Sequence, residues 1–258
     1  MNSQEVVDDI LTHYGAKGMK WGVRKDYRTS TLTSSSSTIK GLDKFPKETA
    51  SAVNIVNKKM NKAYGFKVDN VIPLSGSDNK RYLAYVEYKN NGSTAIHMTT
   101  DSNLKNRLLE KEREGMFVPS GGKVIEANIT HEAAHAMFHT INLEGKSLRE
   151  RAVLSDSMTK MRKSAWNKSK EQAISDGDAV PRKGPFKIFK VTPEFQMMNK
   201  LSKYAASTLF LEEHEAEMFA AYHWSPNPPK FVDAFMNDIH TSMGKKVQPF
   251  SGRKVSNA

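Results

Sequence analysis

Residues 130–140 read T-H-E-A-A-H-A-M-F-H-T, from Thr130 to Thr140. Inside the stretch lies H-E-x-x-H: His131, Glu132 and His135. Apolar residues surround it at Ile125, Ile129, Ala133, Ala136, Met137 and Ile141. Alanine is the strongest helix former, so the spacing predicts a buried helix that runs to about Asn142 and is ended by Gly145. Side chains four apart on a helix stand one above the other on a single face. Two imidazoles so placed can grip one Zn²⁺, and Glu132, one position round, can reach a water on that ion. A five-residue pattern also arises by chance, and the competing reading is two unrelated histidines on a helix. The apolar helical setting favours the metal.

Two histidines leave a zinc site one protein ligand short. The chain has no cysteine, which excludes a disulfide framework and thiolate zinc, so the third ligand is His, Asp or Glu. The arrangement H-E-x-x-H-x-x-G-x-x-H is excluded, because Phe138 and Ile141 stand where it needs Gly and His. His139 lies one further turn along, and each turn advances about 5.4 Å, so it fits a buried or supporting role better than a ligand. The alternative is a carboxylate from the later stretch L-E-E-H-E-A-E-M-F-A-A-Y, residues 211–222. Glu213 and Glu217 share a helix face there; one can bind metal while the other accepts the second N–H of a ligand histidine. Ala216 and Ala220 allow close approach to the first helix. A solvated face of exposed glutamates is the rival reading of this segment.

Outward from the pentad, residues 46–64 carry apolar positions at helical spacing. Residues 66–74 and 81–89 read as strands, and Asn91–Gly92 turns the chain into a third, with Ala95–Thr99 as the edge strand that can accept an extended peptide. A charged helix is predicted over Asp101–Glu114. Ser147–Ala173 is helical in period and strongly basic, which reads as a solvated arm or an anionic-partner surface. Thr192-Pro193-Glu194 starts a helix running toward Tyr204, and further helices span Leu211–Trp224 and Lys230–Met243. The basic tail, 244–258, reads as loose.

The N-terminal part differs in kind. His13–Lys25, H-Y-G-A-K-G-M-K-W-G-V-R-K, has too many glycines for a regular helix, and residues 26–43 have the Ser/Thr composition of a linker. The predicted division is a flexible segment 1–43, a folded domain 44–243 with a charged helical insertion at about 145–190, and the tail. Net charge is +11 and the pI about 9.6, which draws the chain to anionic surfaces, including non-specific nucleic acid. The first ten residues are acidic and no apolar run reaches about 18 residues, so neither a secretory signal nor a membrane span is expected.

Two resemblances add to this. Tyr14–Arg24 resembles a cassette, Y-G-x-K-G-M-K-W-G-V-R, that recurs in tailed-bacteriophage proteins associated with heads and structural modules. It implies a phage or prophage origin and a docking or processing tag that touches head or virion proteins. H-E-A-A-H followed by E-H-E-A-E-M-F-A-A-Y looks like the gluzincin metallopeptidases, in particular the branch with a second motif E-x-F-A-E-x-F-A that includes anthrax lethal factor and clostridial proline-specific endopeptidases. That resemblance implies an α+β, zincin-like fold: a small mixed sheet packed on an active-site helix, with a helical C-terminal half. It implies Zn²⁺ on His131, His135 and Glu213, with Glu217 as the supporting carboxylate; a register slipped by one turn exchanges the two glutamates. It also implies that Tyr204, in Tyr204-Ala205, stabilises the oxyanion. Glu215 departs from the pattern, which usually has an aromatic there.

The expected function is a zinc-dependent endopeptidase acting on a protein or peptide, with Glu132 as general base, in the phage virion or the host bacterial cytoplasm. A toxin-like effector is the same enzyme with a host target. The rival class is a catalytically inert virion, head-associated or DNA-binding protein, which the charge and the cassette favour.

Overall fold

The computed structural model describes residues 39–74, 83–88, 94–140, 146–181, 192–208 and 210–255. The cassette, most of the Ser/Thr stretch, the Asn91–Gly92 turn and the expected helix end at Asn142–Gly145 lie outside the described residues. Among those described, the fold is mostly helical α+β: a small mixed three-stranded sheet with eight α-helices. In chain order the elements are α1 (Lys47–Tyr64), β1 (Asn70–Pro73), β2 (Ala84–Tyr88), β3 (Thr94–Met98), α2 (Leu104–Arg113), α3 (Val124–Thr140), α4 (Leu148–Ser175), α5 (Pro193–Leu201), α6 (Lys203–Ser207), α7 (Leu211–Trp224) and α8 (Lys230–Ser242). No described helix is long and apolar enough to cross a membrane.

The sheet corrects one expectation. β3 is central, parallel to β1 on one side and antiparallel to β2 on the other, so residues 95–98 are not an edge. Pairing with β2 occupies only one side of β3, and β1 takes the other. Alternation along a strand reports which face is buried; it carries no information on neighbours. β2 is the edge that runs against α3.

Two helices form the centre. α3 buries Val124, Ile125, Ile129, Ala133, Ala134, Ala136, Met137 and Phe138, and α7 is buried without a break from Glu215 to Trp224. A helix that is apolar nearly all round belongs in a core, which is why neither shows a polar side. The pair pack against each other, and the Trp224 indole N–H donates to Thr130 Oγ at 2.8 Å, fixing their register beside His131.

α4 departs from the expected solvated arm over half its length. Ser147 and Glu150 close a capping box at its start, and Leu148 and Val153 there are 84% and 62% exposed. Its later half packs on α8 and buries Arg162, Ala165, Ser169 and Ala173. The basic residues mask this stripe in the sequence, because their long stems cover apolar surface while their charges reach water.

The helix expected to run on to Tyr204 breaks at Ser202, whose extended backbone ends α5 and whose hydroxyl caps α6 through Ala205 N–H. Lys203 and Tyr204 N–H groups donate to Gly115 and Met116 carbonyls, which anchors Tyr204 on the loop after α2.

Residues 244–255 do not hang loose. Phe250 stacks on His223 with ring centres 3.7 Å apart, Arg253 forks onto Asp233 at 3.0 and 2.6 Å, and Tyr222 donates to Val247 O at 2.8 Å. Under this flap, Tyr64 Oη sits 2.8 Å from Nε2 of both His223 and His240. Burial holds His240 down to about 4 and His223 well below its ordinary value, the latter helped by His240, Lys59 and Arg253. Both histidines are neutral in the fold, whereas the unfolded chain protonates them near about 6.5. Their contribution to stability is full above that pH and is lost as pH falls toward about 4. Thermal melts across this window should therefore show a falling Tm, and His240→Gln should flatten the fall; identical acid limbs would remove the cluster as its source.

Candidate metal centre

α3 and α7 bring three donor atoms together. His131 Nε2 lies 3.2 Å from His135 Nε2 and 3.2 Å from Glu213 Oε2, and His135 Nε2 lies 3.4 Å from the same oxygen. His131, His135 and Glu213 thus form a buried cluster able to hold a metal ion. Helix geometry explains the first contact, since residues four apart share a face. The packing of α7 on α3, with Ala216 and Ala220 buried, explains the second. Glu217 lies one turn beyond Glu213 and meets the other edge of His131, Oε2 to Nδ1 at 3.3 Å. The two glutamates therefore sit on different nitrogens of one imidazole. Tyr204 donates its hydroxyl to Glu213 Oε2 at 2.6 Å.

The electrostatics follow from burial plus charge. For His131, desolvation is the largest single influence and opposes a proton, but Glu213 and Glu217 together outweigh it and raise it to about 10. For Glu213, desolvation again comes first and is overcome by the two histidines, which hold the carboxyl well below its ordinary range. A metal-free cluster thus keeps a proton on His131, and an ion that binds Nε2 must displace it. Glu132 is 4% exposed and burial raises its carboxyl, against the pull of His131, His135 and the Val86 backbone N–H. Val86 is on β2, so the edge strand touches the pentad directly.

His139 stays out of the cluster. Burial and the nearby Arg162 charge hold it down to about 4, a neutral imidazole packed one turn beyond His135.

Comparisons with known proteins reach only the N-terminus. Residues 4–28 match a family of unknown function, DUF7211. The match contains the cassette and ends well before α3, so it assigns no family to the fold that carries the cluster. No curated protein and no solved structure matches the chain.

One neighbour of the cluster escaped the sequence reading. Arg162 of α4 donates Nε to Glu215 Oε2, lies 3.7 Å from Glu212, and stacks 5.7 Å over the Phe138 ring. Glu215 is fully buried, and burial pushes its carboxyl up to about 7 despite the Arg162 charge. A lone basic residue in a charged run carries no signal of burial. Breaking a buried pair from one side strands a charge and costs about 3–5 kcal/mol, whereas replacing both partners by apolar groups is close to neutral. Arg162→Met should lose that amount in denaturant titrations, and Arg162→Met with Glu215→Leu should recover most of it. Equal losses in the two proteins would mean that packing, not charge, is what the arginine supplies.

Proposed function

We propose that this chain is a phage-encoded zinc-dependent endopeptidase. The observation that carries the reading is the donor triangle of 3.2, 3.2 and 3.4 Å between His131, His135 and Glu213. Tetrahedral zinc with N and O ligands at about 2.0–2.2 Å needs neighbouring donors about 3.3–3.6 Å apart, close to that spacing. Two imidazoles and one carboxylate suit zinc, whereas calcium and magnesium take oxygen ligands. Three protein ligands also leave a position for water or substrate, the pattern of catalytic rather than structural zinc. Zinc in such a site lowers the pKa of a water to about 7 and polarises a carbonyl.

The chain's own residues supply the rest. Glu132, raised by burial and beside both histidines, takes the proton of the attacking water and delivers it to the leaving amine. The Tyr204 hydroxyl, 2.6 Å from Glu213 Oε2, stands at the cluster and donates to the carbonyl oxygen as negative charge develops there. Glu217 accepts from His131 Nδ1–H and fixes the tautomer that turns Nε2 to the metal. The strand that accepts an extended substrate is β2, whose outer edge faces Glu132, not the central β3.

The test is elemental analysis of the purified full-length protein, then a proteome-wide screen for new cleavage sites. One zinc per chain and a defined set of cuts are expected. A zinc-free, inactive protein that binds DNA with steep salt dependence would favour the inert virion or DNA-binding alternative.

A further inference from the structure

Behind the donor triangle, on the far side of His131, two buried acceptors lack donors among the described residues. Glu217 spends Oε2 on His131 Nδ1, while its Oε1 has no hydrogen-bond partner among the described residues. Asn128, one turn before His131 on α3, has Oδ1 in the same condition. Asn128 is 8% and Glu217 5% exposed. Both side chains line one cavity of about 40 Å³, walled by Leu108, Phe117, Val124 and Trp224. Buried acceptors without a donor carry their full desolvation cost, and each such case in a folded protein needs a physical explanation.

The chemistry of the walls narrows what can satisfy them. The partner must be a donor twice over and small. A water needs about 10–15 Å³ of such space and two or more polar partners, both of which the cavity offers. Glu112 and Ser120 also line the cavity, but Glu112 Oε2 already accepts from the Ser120 N–H and hydroxyl, and a cation is the poorer fit beside the protonated or metal-bound His131.

We propose that one ordered water in this cavity donates to both Asn128 Oδ1 and Glu217 Oε1, which makes Asn128 a positioning residue for the metal centre. The link then runs from Asn128 through the water to Glu217, and from Glu217 Oε2 to His131 Nδ1. Holding both carboxylate oxygens prevents Glu217 from rotating away from the imidazole, and a fixed imidazole keeps Nε2 aimed at His135 and Glu213. The inference rests on the reading of His131 as a metal ligand.

Asn128→Leu keeps the side-chain size and removes the acceptor. In the full-length protein, zinc affinity is measured by chelator competition and Tm on the metal-stripped protein. Loss of such an outer partner weakens metal binding about tenfold or more. The expected result is that loss with metal-free Tm unchanged. Wild-type zinc affinity in the variant, or affinity and metal-free Tm falling together, overturns the proposal. A high-resolution wild-type crystal structure decides independently should the variant not fold: one water within hydrogen-bond distance of both oxygens supports the link, and a cavity without it sinks it. Wild-type protein that binds no zinc removes the endopeptidase reading as well, whereas zinc-binding wild type with an unaffected variant removes only the role of Asn128.

Discussion

Glu132→Gln protein should purify with the zinc content of wild type and cleave its substrate about 10²–10⁴-fold more slowly. Glutamine has the shape of glutamate and can still accept the Val86 N–H through its amide oxygen, so the contact between α3 and β2 survives. What it cannot do is take a proton. Glu132 is not among the three donors that form the triangle, so metal content and catalysis separate in this variant. Burial raises the Glu132 carboxyl, which makes it a stronger base than an exposed glutamate and enlarges the expected loss. Wild-type turnover by the variant would remove Glu132 as the base; loss of zinc along with activity would make it a ligand instead.

His131→Ala should remove the metal altogether, from one zinc per chain to none by elemental analysis after dialysis. It has a second consequence that the other ligand variants lack. His131 is the only residue of the cluster that touches both Glu213 and Glu217, one on each ring nitrogen. Its removal leaves the buried Glu217 without its cation and Glu213 with His135 and the Tyr204 hydroxyl beside it. Such a loss costs about 3–5 kcal/mol at neutral pH. That cost should shrink as pH falls, because the stranded carboxyl protonates. Denaturant midpoints of metal-free wild type and variant should therefore be far apart at pH 7 and draw together only as pH falls below the ordinary carboxylate range, where Glu213 of wild type protonates too. A variant that retains stoichiometric zinc places the site elsewhere, and one that matches metal-free wild type at neutral pH shows that the carboxylate found another partner.

A metal that enters a preformed cluster stabilises the folded state by mass action, so wild-type Tm should also rise with added zinc while that of His131→Ala does not. The proton held on His131 in the metal-free state must leave on binding, so zinc affinity should increase with pH up to about 10.

Much of this fold is legible in the sequence. The apolar spacing of residues 46–64, the helical period of Ser147–Ala173, the Thr192-Pro193 start and the Leu211–Trp224 segment are local, and local rules placed α1, α4, α5 and α7 within a few residues. The helical pentad put His131 and His135 on one face because 3.6 residues per turn permits nothing else. The later acidic helix narrowed the third donor to Glu213 or Glu217. Chain order could not separate these two, since both stand on the same face four residues apart. Only the crossing of α7 over α3 sets Glu213 Oε2 against both Nε2 atoms and Glu217 against Nδ1.

By itself, then, the sequence determined most of the helices, the paired imidazoles and a short list of carboxylates, because each depends on neighbours within a turn or two. The tertiary structure alone decided that β3 is central and β2 the edge beside α3, that the later half of α4 is buried through Arg162, that the tail closes over His223, and which glutamate meets which nitrogen. Those outcomes turn on contacts between segments tens of residues apart, and the relative placement of two packed elements is written in neither one.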